Sequence, residues 1–169
     1  NHEPYIKAAI EGFLKQKVSF SYEILIYDDA STDSTAEIIR QYAEQYPDII
    51  KPILQTENQY SKGIKNPSGA FNFPRARGTY IAMCEGDDYW TEEGKLQAQI
   101  DYLESHPDCS LCIHSANIIT MDGSRSEKQM RPYTKNNVIS PEEIIDKSCG
   151  YPTASMVFRA SLIKELPLY

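Results

Sequence analysis

Apolar residues return every three or four positions in three stretches of the chain, and each stretch predicts a helix packed along one side. The first carries Tyr5, Ile6, Ala9, Ile10, Phe13 and Leu14, with Pro4 at a first-turn position where a missing N–H costs little. The second carries Ile39, Tyr42, Ala43 and Tyr46 and stops before Pro47. In front of it, Ser34-Thr35-Ala36-Glu37 reads as a capping box: Ser34 would accept from the Glu37 N–H while Glu37 reaches back. The third carries Leu96, Ile100 and Leu103, with Thr91 as its expected cap and Pro107 near its end.

Short β-prone runs lie between the helices, at residues 22–27, 49–54, 79–84, 110–120 and 153–158. Residues 55–68 are polar, contain Gly63 and Pro67, and read as a long loop of the kind that often carries function. Residues 69–77 form a weak, proline-interrupted helix. Asp122-Gly123 signals a turn, and Ser140-Pro141-Glu142-Glu143 is a second capping box with proline at the first helical position. Strands alternating with helices predict an α/β fold with a mostly parallel sheet covered on both faces. With 169 residues and no internal repeat, residues 1–169 are expected to form one domain with its own core.

Composition narrows the function. A net charge of −7 excludes nucleic acid as the natural partner, because a phosphate backbone demands a basic face. The short basic clusters Lys62, Lys65 and Arg75, Arg77 still suit a small anion. Twelve tyrosines, most of them packing residues, also suit carbohydrate surfaces, since each offers an apolar ring and a hydroxyl. Cys109 and Cys112 form the sole C-x-x-C. It has no second pair to complete a zinc site, and it opens a strand-like run rather than a helix. With Cys84 and Cys149 these are expected to be reduced, mostly buried thiols of a cytosolic protein. No apolar run approaches the length of a transmembrane helix, and no signal peptide is visible. The abrupt opening Asn1-His2-Glu3-Pro4, without an initiator methionine, is expected of a piece excised from a longer chain.

Two acidic clusters carry the candidate chemistry. Asp28-Asp29 and Asp87-Asp88 each follow a short apolar strand. Residues just past the strand ends of an open α/β sheet gather along one edge, where ligands bind. Carboxylates crowded there repel one another unless a cation sits among them, and hard oxygen donors suit Mg²⁺ or Mn²⁺ shared with phosphates and water. Such a centre serves reactions in which a diphosphate departs. Asp33, by contrast, reads as a helix-start residue beside Ser34. Trp90, the sole tryptophan, follows Asp88 and Tyr89; its indole either walls a sugar or acceptor pocket or anchors the helix behind it.

These motifs resemble a known family. Tyr27-Asp28-Asp29-Ala30-Ser31-Thr32-Asp33 resembles the D-D-x-S-T-D segment of family 2 glycosyltransferases of the GT-A fold. The run from Ala76 through Gly78-Thr79-Tyr80-Ile81 to Cys84-Glu85-Gly86-Asp87-Asp88-Tyr89-Trp90 resembles that family's A-x-G-x-Y-I strand and D-x-D-type motif, in a bacterial subgroup that reads C-E-G-D-D-Y-W. Asn1-His2-Glu3-Pro4-Tyr5-Ile6 resembles the tail of its first-strand motif, and Pro152-Thr153-Ala154-Ser155-Met156-Val157-Phe158-Arg159 a late strand near the acceptor side.

The resemblance implies a GT-A type, Rossmann-like three-layer sandwich. It implies a metal-dependent, inverting transfer of sugar from a nucleoside-diphosphate sugar, with uridine diphosphate favoured, to a carbohydrate or glycolipid hydroxyl. A role in surface polysaccharide synthesis follows, in the cytoplasm or at the inner membrane face. Asp28, Asp29, Ser31 and Asp87 would contact the nucleotide, Asp88 with Asp87 the Mn²⁺ or Mg²⁺, and Glu85, Tyr89 and Trp90 the sugar or acceptor pocket.

Departures from the family pattern matter as well. An arginine that many relatives place near the base or phosphates is absent from Gly69-Ala70-Phe71-Asn72, and Arg75, Lys62 and Lys65 are open substitutes. The family's first strand is expected before Asn1. The carboxylate base of inverting members is expected beyond Tyr169, since Glu165 is the sole carboxylate from Lys147 onward. Three other readings remain: a sugar-1-phosphate nucleotidyltransferase, lacking its Gly-rich phosphate loop; a phosphoacceptor receiver domain, which the Cys84–Trp90 stretch does not fit; and a non-catalytic nucleotide-sugar-binding module.

Overall fold

The computed structural model describes residues 1–120, 123–130, 138–140, 142 and 151–165. Cys149, Asp122, Pro141, Glu143 and the Glu165 side chain lie outside the described residues. The first half of the fold is built on β1 (Ile24–Asp28) and β2 (Ile50–Leu54), paired in parallel with Ile24 opposite Ile50 and Asp28 opposite Leu54. Residues Ile24, Ile26 and Asp28 alternate inward along β1, as the two-residue period of a strand requires. Helices α1 (Ile6–Leu14) and α2 (Thr35–Gln45) lay Ile6, Ile10 and Ile39 on this face, and with Ile24, Ile26 and Ile50 they form one core.

The second half is an antiparallel ladder, β3 (Tyr80–Ala82), β7 (Val157–Arg159) and β4 (Leu111–Cys112), with β7 in the middle. Helix α4 (Lys95–Ser105) packs Leu96 and Leu103 against Val157 to make a second core. Strands β5 (Ala116–Ile119) and β6 (Arg125–Met130) form a separate antiparallel hairpin, and α5 (Ser161–Glu165) follows β7. The α/β expectation holds. Among the described residues its parallel part is the β1–β2 pair, because β7 returns between β3 and β4 in the opposite direction.

Helix starts differ from the sequence expectation in an instructive way. Ser34 precedes α2 without making a side-chain cap bond; its φ of −76° and ψ of 6° lie outside the extended region that a capping side chain needs. Asp33 serves instead: its Oδ1 accepts from the Thr35 N–H (3.0 Å) and the Thr35 hydroxyl (2.5 Å), which holds its carboxyl at about 2. Glu37 turns away to Arg40. Helix α4 starts at Lys95, not behind Thr91. The buried Gln16 does the capping from the far side of the core, accepting from the Leu96 N–H (3.0 Å) and donating to the Glu92 carbonyl (2.9 Å). Helix α3 (Pro67–Asn72) begins two residues ahead of the expected stretch, because Asn66 Oδ1 accepts from the Gly69 N–H (3.0 Å); a 3₁₀ turn at Phe73–Arg75 continues it.

The two halves meet at several points. Glu23, just before β1, takes the Arg77 backbone N–H (2.9 Å) and its guanidinium (2.7 and 3.0 Å) just before β3. Helix α1 touches the segment after β3 so closely that a Cβ on Gly12 would lie 2.8 Å from the Trp90 carbonyl oxygen.

Candidate functional site

A cavity of about 690 Å³ opens where β1 and β3 end, and Asp28, Asp29, Ser31, Asn58, Lys65 and Glu85 are among its lining residues. Asp28 is 4 % exposed, and its Oδ2 accepts from the Ser31 N–H at 3.0 Å. The turn between them passes through Ala30 at φ 59°, a left-handed conformation that reverses the chain at once after the strand. The neighbouring carboxylate of Asp29 is engaged on three sides. It accepts from the Gln59 N–H (2.7 Å), the Tyr60 N–H (3.0 Å) and the Tyr27 hydroxyl (2.9 Å). Burial pushes the Asp29 carboxyl up, but these donors outweigh it and hold the group below the usual carboxylate range. Burial and the bond to Asp29 raise the Tyr27 phenol to about 12.

Strand β3 delivers the second acidic turn. Glu85 and Gly86 line the same cavity, and Gly86 leaves room for the His2 ring, whose Nδ1 would lie 2.5 Å from a Cβ at this position. Asp87 and Asp88 come next along the turn, exposed and outside the cavity lining, with the Asp88 N–H donating to the Glu85 carbonyl at 3.2 Å. Burial, then the neighbouring Asp87, raises the Asp88 carboxyl. Among the described residues no three His, Cys, Asp or Glu side chains form a cage for a metal. The pair Asp87-Asp88 instead suits Mg²⁺ or Mn²⁺ held by one or two carboxylates and completed by phosphate oxygens and water.

The two aromatic residues part company. Tyr89 is 44 % exposed and available to a ligand. Trp90 is committed to packing: its Nε1 donates to the Ala154 carbonyl (2.8 Å), Phe13 meets its ring edge-on (4.7 Å), and Lys95 lies 4.1 Å over its face. It lines a second cavity, also about 690 Å³, a slot between β1 and β3 with Leu25, Phe73, Ile81 and Leu96 on its walls and Glu23, Arg77 and Glu104 among its polar lining. Among the described residues β1 pairs with β2 alone and β3 with β7 alone, so the strand edges at this slot are unpaired.

The candidate cations separate as clearly. Arg75 donates to the Lys51 carbonyl (2.8 Å), Asn72 Oδ1 (2.7 Å) and the Ile26 carbonyl (3.3 Å) beneath the first sheet. Lys62 is paired with Glu57, and Arg77 with Glu23. Lys65 lines the cavity at the strand ends. Sequence reasoning missed the bonds by which residues 58–60 close on Asp29; the polar character of residues 55–68 was the available signal, and the bonding partner was not readable from it.

A profile of the family described as Glycosyl transferase family 2 matches residues 1–166. The chain belongs to glycosyl transferase family 2. An uncharacterized protein of Mycobacterium tuberculosis (strain ATCC 25618 / H37Rv) is 39% identical over 160 residues, which is 94% of this chain and 44% of that protein. The Escherichia coli UDP-Glc:alpha-D-GlcNAc-diphosphoundecaprenol beta-1,3-glucosyltransferase WfaP is 36% identical over 107 residues, 62% of this chain and 38% of that protein. Among solved structures, S. aureus TarS 1-349 superposes with a TM-score of 0.69 over 98% of this chain and 46% of that one, at 20% identity. A second TarS structure, in complex with UDP, gives 0.61. The likeness to TarS shows the fold, which is the GT-A α/β type. The chain spans about half the length, or less, of the relatives it matches.

Proposed function

We propose that this family 2 domain binds a nucleoside-diphosphate sugar with a divalent cation, and that the protein containing it transfers the sugar, with inversion, to a hydroxyl of a carbohydrate or glycolipid acceptor. The observation that carries the reading is the convergence of the Asp28–Ser31 turn and the Glu85–Gly86 turn on one cavity at the strand ends. A uridine diphosphate donor is supported by the UDP complex of TarS and the UDP-glucose donor in the name of the E. coli relative. The diphosphoundecaprenol in that name supports a lipid-linked acceptor, and with it action at a membrane surface. No helix among the described residues is long and apolar enough to cross a membrane.

In this reading Asp28 and Ser31 face the nucleoside, Asp29 lines that side of the cavity while holding residues 59 and 60, and Asp87 lies on the ribose or on the water around the metal. Asp88, with Asp87, holds Mn²⁺ or Mg²⁺. Bound there, the ion supplies positive charge to the diphosphate as it leaves. Glu85 and Tyr89 border the sugar and acceptor, while Trp90 supports that border from behind.

Melting the 169-residue chain with UDP, GDP, CDP and dTDP, each with and without Mn²⁺, tests this. A nucleotide at a hundred times its Kd adds about 2.7 kcal/mol of stability. Stabilisation by UDP that requires Mn²⁺ is the expected result; no shift with any of the four sinks the reading.

A further inference from the structure

We propose that Lys65 meets the diphosphate of the donor, and that Asp29 serves the nucleotide indirectly, as the anchor of the loop that carries Lys65. The proposal rests on the donor-site reading above and names the cation within it.

The cavity presents Asp28, Asp29 and Glu85 to an incoming diphosphate, which is itself an anion. A site of that charge repels its ligand unless basic groups face it, and one divalent ion among several carboxylates does not remove the imbalance. Among the described residues Lys65 is the sole lysine or arginine that lines this cavity. The other nearby cations are engaged: Arg75 with carbonyls of both parallel strands, Lys62 with Glu57, Arg77 with Glu23. Lys65 forms no ion pair among the described residues.

The backbone on both sides of Lys65 is fixed. Upstream, the N–H groups of Gln59 and Tyr60 are bound by the Asp29 carboxylate, and Asn58 Nδ2 donates to the Asp29 carbonyl at 3.1 Å. The turn then folds back on itself: Lys62 and Ile64 donate to the Gln59 carbonyl, and Gly63, at φ 100°, supplies the left-handed step that an L side chain resists. Downstream, Asn66 caps α3 through its side chain and receives the Ala70 N–H on its carbonyl. Lys65 thus stands between two clamps, and the upstream clamp is Asp29. With three donors already on its carboxylate, Asp29 has given up most of its accepting capacity to the loop. Its influence on the ligand therefore runs through what the loop presents.

The test is calorimetric titration, in Mn²⁺, of the wild-type chain and of Lys65→Met, Lys65→Arg, Asp29→Asn and the Asp29→Asn/Lys65→Met double variant. The probes are whichever of UDP, GDP, CDP and dTDP stabilises the wild type, and the matching nucleoside. A charge-assisted contact predicts about tenfold weaker diphosphate binding in Lys65→Met, about 1.4 kcal/mol, with nucleoside binding unchanged. Lys65→Arg should bind within about threefold of wild type, since the charge is kept. Asp29→Asn should weaken the diphosphate, add little in the double variant, and speed hydrogen exchange at the Gln59 and Tyr60 amides; Lys65→Met should leave those amides unchanged. Diphosphate binding by Lys65→Met equal to wild type overturns the assignment of Lys65, as does an equal loss for the nucleoside. Full additivity of the two variants overturns the role given to Asp29. If the wild type binds none of the four diphosphates, the donor-site reading fails first and takes this inference with it.

Discussion

Two cavities of about equal size adjoin in this fold and share part of their lining, Phe13 and Leu25 included; they differ in which charged groups they carry. The slot between β1 and β3 has Ile81, Trp90 and Leu96 on its walls, unpaired strand edges, and charges already matched in the Glu23–Arg77 pair. The cavity at the strand ends sets two aspartates, a glutamate, two serines, asparagines and a lysine beside apolar walls that include Ile6 and Ile26. Volume therefore says nothing about which one binds a nucleotide. Strand interiors are selected for packing and present side chains to a core, whereas the turns beyond the strands are free to place carboxylates and backbone N–H groups around a ligand. In this domain the candidate carboxylates gather at the last residue of β1 and in the turns just beyond β1 and β3.

Core truncations should give the largest effect and leave the comparison intact. Ile10→Ala in the first core and Leu103→Ala in the second, both fully buried, should each lose about 2–5 kcal/mol in urea unfolding. The stabilisation by nucleotide and Mn²⁺ should persist in whatever fraction stays folded. Asp88→Asn should do the reverse: unfolding in the absence of ligand near wild type, and the metal-dependent part of the nucleotide shift, up to about 2.7 kcal/mol at a hundredfold excess over Kd, gone. An unchanged shift in that variant would remove the acidic turn from the binding site.

A smaller effect separates the wall of the slot from the site by pH. Lys95 is buried against Trp90, donates to Gln99 Oε1 at 2.8 Å, and is pushed down to about 8 by burial, with the Cys84 and Cys112 thiols acting in the opposite sense. Its folded pKa lies below its unfolded value of about 10.4, so between about pH 8 and 10.4 the unfolded chain holds the extra proton and stability rises with pH. Subtracting the urea midpoints of Lys95→Met from those of wild type across pH 7.5–10.5 should reveal that rise; a flat difference would contradict the burial of a charged amine. The smallest effect belongs to Arg77→Ala. Its guanidinium is exposed, so the melting temperature should fall less than in either core variant, and the fall should shrink in high salt.

Much of the fold is legible in the amino-acid order, because α1, β1, α2 and β2 each carry their own periodicity and end at punctuation such as Asp28-Asp29 or Pro47. The helix starts are not legible in the same way. Ser34 and Thr91 are the right residue types in the right places, yet neither caps: Asp33, readable as a helix-start residue, caps one helix, and Gln16, eighty residues from Leu96, caps the other. Local propensity cannot anticipate a partner delivered by tertiary packing. The site divides along the same line. The strand-end position of the acidic clusters follows from the pattern of short apolar runs before them. That Asp29 is bound by residues 59 and 60, that Trp90 is locked by Ala154, and that Arg75 is spent on carbonyls are all long-range facts with no local signature.

The contact between Gly12 and Trp90 has a consequence for how the gene can drift. Helix α1 rests backbone against backbone on the residue two places after Asp88, with room for a hydrogen atom and nothing larger. Any other residue at position 12 must push α1 and the acidic turn apart, at the buried contact where Trp90 packs on Phe13. A saturation library at that codon should thus return glycine almost alone when screened for nucleotide binding. Substitutions on the exposed side of the same helix, at Lys7 or Ala8, should pass freely. A site made of carboxylates would then owe its alignment to the one residue type that has no side chain.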